Sequence, residues 1–182
     1  MSLSVWCYLL GVVLALSGIV VWVWPERSAA CFKAFPRNMW AGRILSTIAW
    51  IWAVVAVLQM GLDFLTPPKI QTVIILLGIA GIPLSWYWLD NLLACRALGG
   101  IYTLFPYELL HVARIHPSPM RLVVITLAYV IIIWGMVLIL YPWKLRQFID
   151  WQMATPARMK GLAAIRIAIG VVVLALGATA LR

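Results

Sequence analysis

The stretch "YPWKLRQFIDWQMATPARMKG", Tyr141 to Gly161, decides how this chain folds. A proline ends an apolar run, and Leu145, Phe148 and Ile149 then recur at i, i+3 and i+4, which is one face of a helix. Lys144, Arg146, Gln147 and Asp150 take the remaining positions, with Trp143 and Trp151 beside them. A short helix that is amphipathic, cationic and rich in indole suits the boundary between lipid and water. Towards the other end, "WPERSAACFKAFPRNMWAG", Trp24 to Gly42, follows the same prescription. There Ala29, Phe32 and Phe35 form the apolar stripe opposite Glu26, Arg27 and Lys33, flanked by Trp24 and Trp40.

Outward from these joints the chain is apolar. Hydrophobic residues make up 65% of it and charged residues 10%, against roughly 45–50% and 25% in soluble domains. Crossing a hydrocarbon core of about 30 Å takes about 20 apolar residues in a helix. Val5–Trp24, Ile44–Leu62, Ile70–Leu89 and Leu122–Tyr141 meet that need without a charge, and Leu162–Leu181 does so with Arg166 alone. Backbone polar groups in lipid must be paired within the segment, so these runs are expected to be helices. The first run has neither the basic start nor the small-residue cleavage site of a secretory leader, and reads as a retained span.

The net charge of +9 raises nucleic acid as a partner, but the cations flank apolar spans instead of covering a soluble face, so none is expected. Anionic headgroups are the expected partners of Arg27, Lys33, Lys144 and Arg146. Cys7, Cys31 and Cys95 are too widely spaced for a metal knuckle and read as packing residues. Arg166 lies five residues beyond Gly161, roughly 7–8 Å along a helix, close enough for its head to reach the boundary. It is read as a structural intramembrane charge.

"DFLTPPK", after the second span, is a turn that makes spans two and three an antiparallel pair. The longest connection runs from Asp90 to Arg121. Its Arg96 and Gly99-Gly100 argue against a further crossing, and a surface helix is expected to begin near Pro106 and end before Pro117. With five crossings and the N-terminus outside, eight cations (Arg182 included) fall in the cytoplasm and five outside, and the positive-inside bias favours that orientation.

The two joints also belong to a longer repeat. Gly18 precedes Pro25 by seven residues and Gly135 precedes Pro142 by seven, while Gly42 and Gly161 open the spans that follow. The unit is span, proline, basic amphipathic helix, glycine, span. It divides the single membrane domain, residues 1–182, into a hairpin repeat over 1–62, a central span and interfacial connection over 63–120, and a second hairpin repeat over 121–182. Gly135, Tyr141-Pro142, the aromatic and basic helix, Pro156, Arg158, Lys160 and Gly161 resemble the small two-helix bacterial inner-membrane proteins of the YjeT type. The resemblance covers about the last 50 residues, and more loosely the N-terminal copy. It implies architecture and a bacterial cytoplasmic membrane, and brings no activity with it. If five segments cross, the two copies face opposite sides.

Signals for chemistry are sparse. Glu108 and His111 have the Glu-x-x-His spacing of metal ligands on one helix face, and His116 follows, but a di-iron site needs a second such pair and two more carboxylates. These three are rejected as metal ligands. No histidine lies in a span to ligate haem, and no phosphate loop or nucleophile elbow occurs. The expectation is therefore an all-α, five-span membrane protein without catalysis or cofactor. It is read as an accessory subunit or scaffold that binds lipid and other integral membrane proteins. A small transporter or channel using Arg166 and the Pro83 region is the alternative.

Overall fold

The computed structural model describes residues 3–60, 65, 67–88, 92–115 and 117–179. Its helices are α1 (Leu3–Val23), α2 (Pro25–Ala34), α3 (Met39–Gln59), α4 (Pro68–Trp88), α5 (Leu93–Ala113), α6 (Arg121–Leu140), α7 (Trp143–Gln152) and α8 (Pro156–Thr179), with a 3-10 turn at Phe35–Arg37. Five of them, α1, α3, α4, α6 and α8, are long and apolar enough to cross a membrane. The chain is thus an all-α, polytopic membrane protein. Asp63, Phe64 and Thr66 of the "DFLTPPK" turn, together with Asp90 and the span ends Leu62, Leu89 and Leu181, lie outside the described residues.

The joints form as their local chemistry dictates. Pro25 and Pro156 each occupy the first helical position, where a missing N–H costs nothing and the fixed φ is already helical. The Oδ1 of Asn38 accepts a hydrogen bond from the N–H of Ala41 at 3.1 Å and caps α3. At α8 the Thr155 hydroxyl accepts one from the N–H of Arg158 at 3.4 Å. The spans therefore begin earlier than the apolar runs, and Gly42 and Gly161 are the fourth residue of α3 and the sixth of α8.

Two compact units divide the contacts. The first comprises residues 1–34, 105–132 and 146–182, and the second 35–104 and 133–145. In the first unit, α1 and α8 run antiparallel and touch backbone to backbone. A Cβ on Gly11 would meet the Gly170 carbonyl at 2.9 Å, one on Gly18 the Ala163 carbonyl at 2.8 Å, and one on Gly177 the Cys7 Cβ at 3.0 Å. Small residues at this seam admit the close approach that drives helix association in lipid. Leu3, Cys7, Leu10 and Val173 continue the core there with Leu109 and Ala113 of α5 and Val124 and Ala128 of α6.

In the second unit, Gly81 faces the Trp50 ring, Gly78 faces Val54, and Trp86 Nε1 donates to Ser46 Oγ at 3.1 Å, so α3 and α4 are antiparallel as expected. Helix α5 lies along α3 in the same direction, with Gly42 against Ala94 and Gly100 against Ala49. It opposes α6, where Gly99 and Gly135 meet.

Helix α5 departs from the sequence expectation. It starts at Leu93 instead of near Pro106, runs through Pro106 without interruption and ends, as expected, before Pro117. Leu92, at φ 65°, turns the chain into it. The glycine pair that reads as a breaker is a packing contact, since a Cβ on Gly99 would lie 2.7 Å from the Gly135 carbonyl oxygen. Proline removes one backbone hydrogen bond, a loss that neighbouring helices make tolerable in an apolar setting. Pro106 is fully buried.

Candidate functional site: a cationic, aromatic membrane interface

Helices α2 and α7 carry the predicted interface residues except Trp24, which precedes α2, and Trp40, which lies in α3, and both helices bury part of their apolar stripes. On α2, Ala29 and Phe32 pack against a cluster of Val21 of α1 and Met159 and Ala163 of α8, as does Met153. The buried Ser28 hydroxyl donates to the Val20 carbonyl at 3.3 Å and ties α2 to the end of α1. Glu26, Arg27 and Lys33 are exposed, as is Trp24 at the corner.

On α7, Leu145 and Ile149 are buried, while Lys144, Arg146, Gln147 and Asp150 are exposed. The inner face also includes Gln152, 3% exposed, whose Oε1 accepts a hydrogen bond from Arg166 of α8 at 3.0 Å. Arg166 sits on the stripe of α8 that carries Met159, Ala163, Gly170 and Val173, and this bond links α7 to the span that follows. Gln152 Nε2 is buried without a hydrogen-bond partner. Sequence reasoning missed Gln152, although its spacing of three from Ile149 and seven from Leu145 places it on the apolar stripe.

The tryptophans lie outside. Trp40 is 73% exposed, and Trp24, Trp143 and Trp151 are about half exposed. Trp151 stacks on Phe148 with centroids 5.9 Å apart, and the Arg158 guanidinium lies 5.7 Å from its ring. Trp143 meets Tyr141 edge-on at 5.2 Å. In the second unit, Arg43 lies 5.9 Å from the Trp40 ring and 5.8 Å from that of Trp86. Such pairs hold a guanidinium at the boundary while its outer edge stays free for an oxyanion.

The first unit places the two joints together. Helix α2 follows the C-terminal end of α1, α7 precedes the N-terminal end of α8, and α1 and α8 are antiparallel. Phe32, from the first joint, and Met153, from the second, both pack against the cluster of Val21, Met159 and Ala163, so both joints stand at one end of the pair. Both repeat joints thus stand at the same end of the α1–α8 pair, whereas a five-crossing count implies copies that face opposite sides. Within the span part of this unit, Ile19, Trp22, Ala164, Ile167 and Ala168 line an open apolar cleft of about 340 Å³. It lies near the end that carries α2 and α7.

The Glu108–His111 pair has no comparable setting. Glu108 is half-buried and His111 exposed, its ring stacked 6.5 Å from that of Tyr107. His116 lies outside the described residues, and among the described residues no three His, Cys, Asp or Glu side chains converge to hold a metal. Compared with family models, curated proteins and solved structures, the chain matches none.

Proposed function

We propose that the protein is a non-catalytic accessory or scaffold subunit of a larger assembly in a bacterial cytoplasmic membrane, held in register by anionic headgroups. One observation carries this reading: α2 and α7 stand at the same end of the α1–α8 pair with their apolar faces buried and their cations exposed. Phosphates bind Arg27, Lys33, Lys144 and Arg146 through charge and hydrogen bonds, each cation near the surface contributing about 1 kcal/mol. The cleft beside Ile19 and Trp22 accepts an acyl chain below them. Exposed apolar side chains such as Val13 and Leu16 of α1, Leu76 and Leu77 of α4, and Val130 and Ile133 of α6 face lipid or a neighbouring span.

The test is solubilisation from membranes at native expression, with the particle sized and its components identified. Wild-type protein is expected in one discrete assembly larger than a single chain with its detergent, and the Lys144→Glu, Arg146→Glu double variant is expected to leave it. A solitary chain in every mild detergent overturns the reading. So does reconstituted solute flux that Arg166→Ala abolishes, which instead marks a transporter or channel.

A further inference from the structure

We infer that α5 is a sixth membrane crossing, so that α2 and α7 form one cationic face on the cytoplasmic leaflet. Successive crossings alternate in direction, so α1 and α8 run parallel if α1, α3, α4, α6 and α8 alone cross. They are antiparallel, with Gly11 facing Gly170, Gly18 facing Ala163 and Gly177 facing Cys7. The number of crossings is therefore even, and α5 is the remaining helix of sufficient length: 21 residues, about 31 Å at 1.5 Å each.

The second unit supports this independently. Helix α3 is antiparallel to α4 and parallel to α5, and α5 is antiparallel to α6. That is the alternation of four consecutive crossings. A helix on the membrane surface lies across its neighbours, whereas α5 runs alongside α3 from Gly42 to Ala49.

Burial agrees. In α2 and α7, six of ten residues are exposed, as a helix at the water boundary requires. In α5 only His111 is exposed. Its charges fit a crossing as well: Arg96 is the fourth residue of the helix, within snorkelling distance of one boundary, and Glu108 lies five residues from Ala113 at the other.

The sixth crossing changes the charge balance. The side that carries α2 and α7 then holds Arg27, Lys33, Arg37 and Arg43 around α2, Arg96 at the start of α5, and Lys144, Arg146, Arg158 and Lys160 around α7. The opposite side holds Lys69, Arg114, Arg121 and the terminal Arg182. Nine against four replaces eight against five, so the positive-inside bias favours this arrangement more strongly than a five-crossing one and puts α2 and α7 in the cytoplasm. The two hairpin repeats become parallel copies related by an axis along the membrane normal. Their shared face is suited to the anionic lipids of the inner leaflet. This topology does not depend on the scaffold reading.

Single cysteines decide it in the full-length chain, in a background with Cys7, Cys31 and Cys95 replaced by alanine. Cys31 is restored, or Lys69, Met120 or Gln147 is replaced by cysteine, and spheroplasts are treated with a membrane-impermeant maleimide before and after permeabilisation. Six crossings place positions 31 and 147 together, labelled only after permeabilisation, and 69 and 120 together, labelled at once. Five crossings pair 31 with 120 and 69 with 147, and either of those pairings overturns the inference. On the otherwise native chain, alkaline phosphatase fused after residue 182 is expected to be active outside the membrane. An inactive fusion at normal expression overturns the inference too.

Discussion

A methyl group on Gly170 would sit 2.7 Å from the Ala15 nitrogen and 2.8 Å from the Gly11 carbonyl oxygen, with only backbone to yield. Gly170→Ala is therefore expected to lower stability by about 1–3 kcal/mol, the usual cost of overpacking, read as an earlier melting transition in detergent. A Cβ on Gly161 meets nothing within 4 Å, and Gly161→Ala is expected to be neutral or stabilising by up to about 1 kcal/mol. The Arg166–Gln152 bond makes a second prediction at this scale. Arg166→Leu removes the donor to Gln152 Oε1 and leaves a buried amide with neither end paired. Gln152→Leu takes that amide away. The two substitutions together are expected to cost less than the sum of each alone, with a coupling of about 1 kcal/mol, the scale of polar pairs between membrane helices. Strict additivity in a double-mutant melting series would count against the bond. Arg166 was visible in the sequence because a lone charge in an apolar run stands out. Gln152 was not, because an amide on a basic helix looks like one more solvated polar group.

Elements divide into those whose formation is local and those that depend on neighbours. Helices α2 and α7 are local: a proline at or just before the start, an apolar stripe and a charged remainder are all written within about eleven consecutive residues. The function proposed for them is contact with anionic headgroups. In nanodiscs, amide hydrogen exchange across α7 is expected to slow when zwitterionic lipid is replaced by anionic lipid, and the Lys144→Glu, Arg146→Glu variant is expected to lose that difference. Equal exchange in both lipids would separate α7 from headgroup binding. Helix α5 is the opposite case. Arg96, Gly99, Gly100 and Pro106 each lower its intrinsic helicity or its affinity for lipid. It forms as one helix because Gly99 meets Gly135, Gly100 meets Ala49, and Leu109 and Ala113 enter the core with Val124 and Ala128. None of these partners is near in sequence.

For the whole molecule, thiol chemistry reports how the parts close. Cys7 and Cys95 are buried and Cys31 is exposed. A soluble maleimide is expected to add once per folded chain in detergent and three times after denaturation, as counted by intact mass. More than one addition to the folded protein would mean that the α1 seam or the start of α5 is open. The sequence by itself determined the five apolar spans, the short amphipathic helices of the two joints and the repeated pattern that links them. Each of these rests on transfer free energy or on i, i+3, i+4 periodicity, which sum over consecutive residues. Only the tertiary structure decided that α1 and α8 run antiparallel, that both joints stand at one end of that pair, and that α5 is continuous through its glycines and proline. Direction and adjacency depend on which small residues allow two backbones to meet, and a composition of glycines and alanines is the same whichever helix lies across from it.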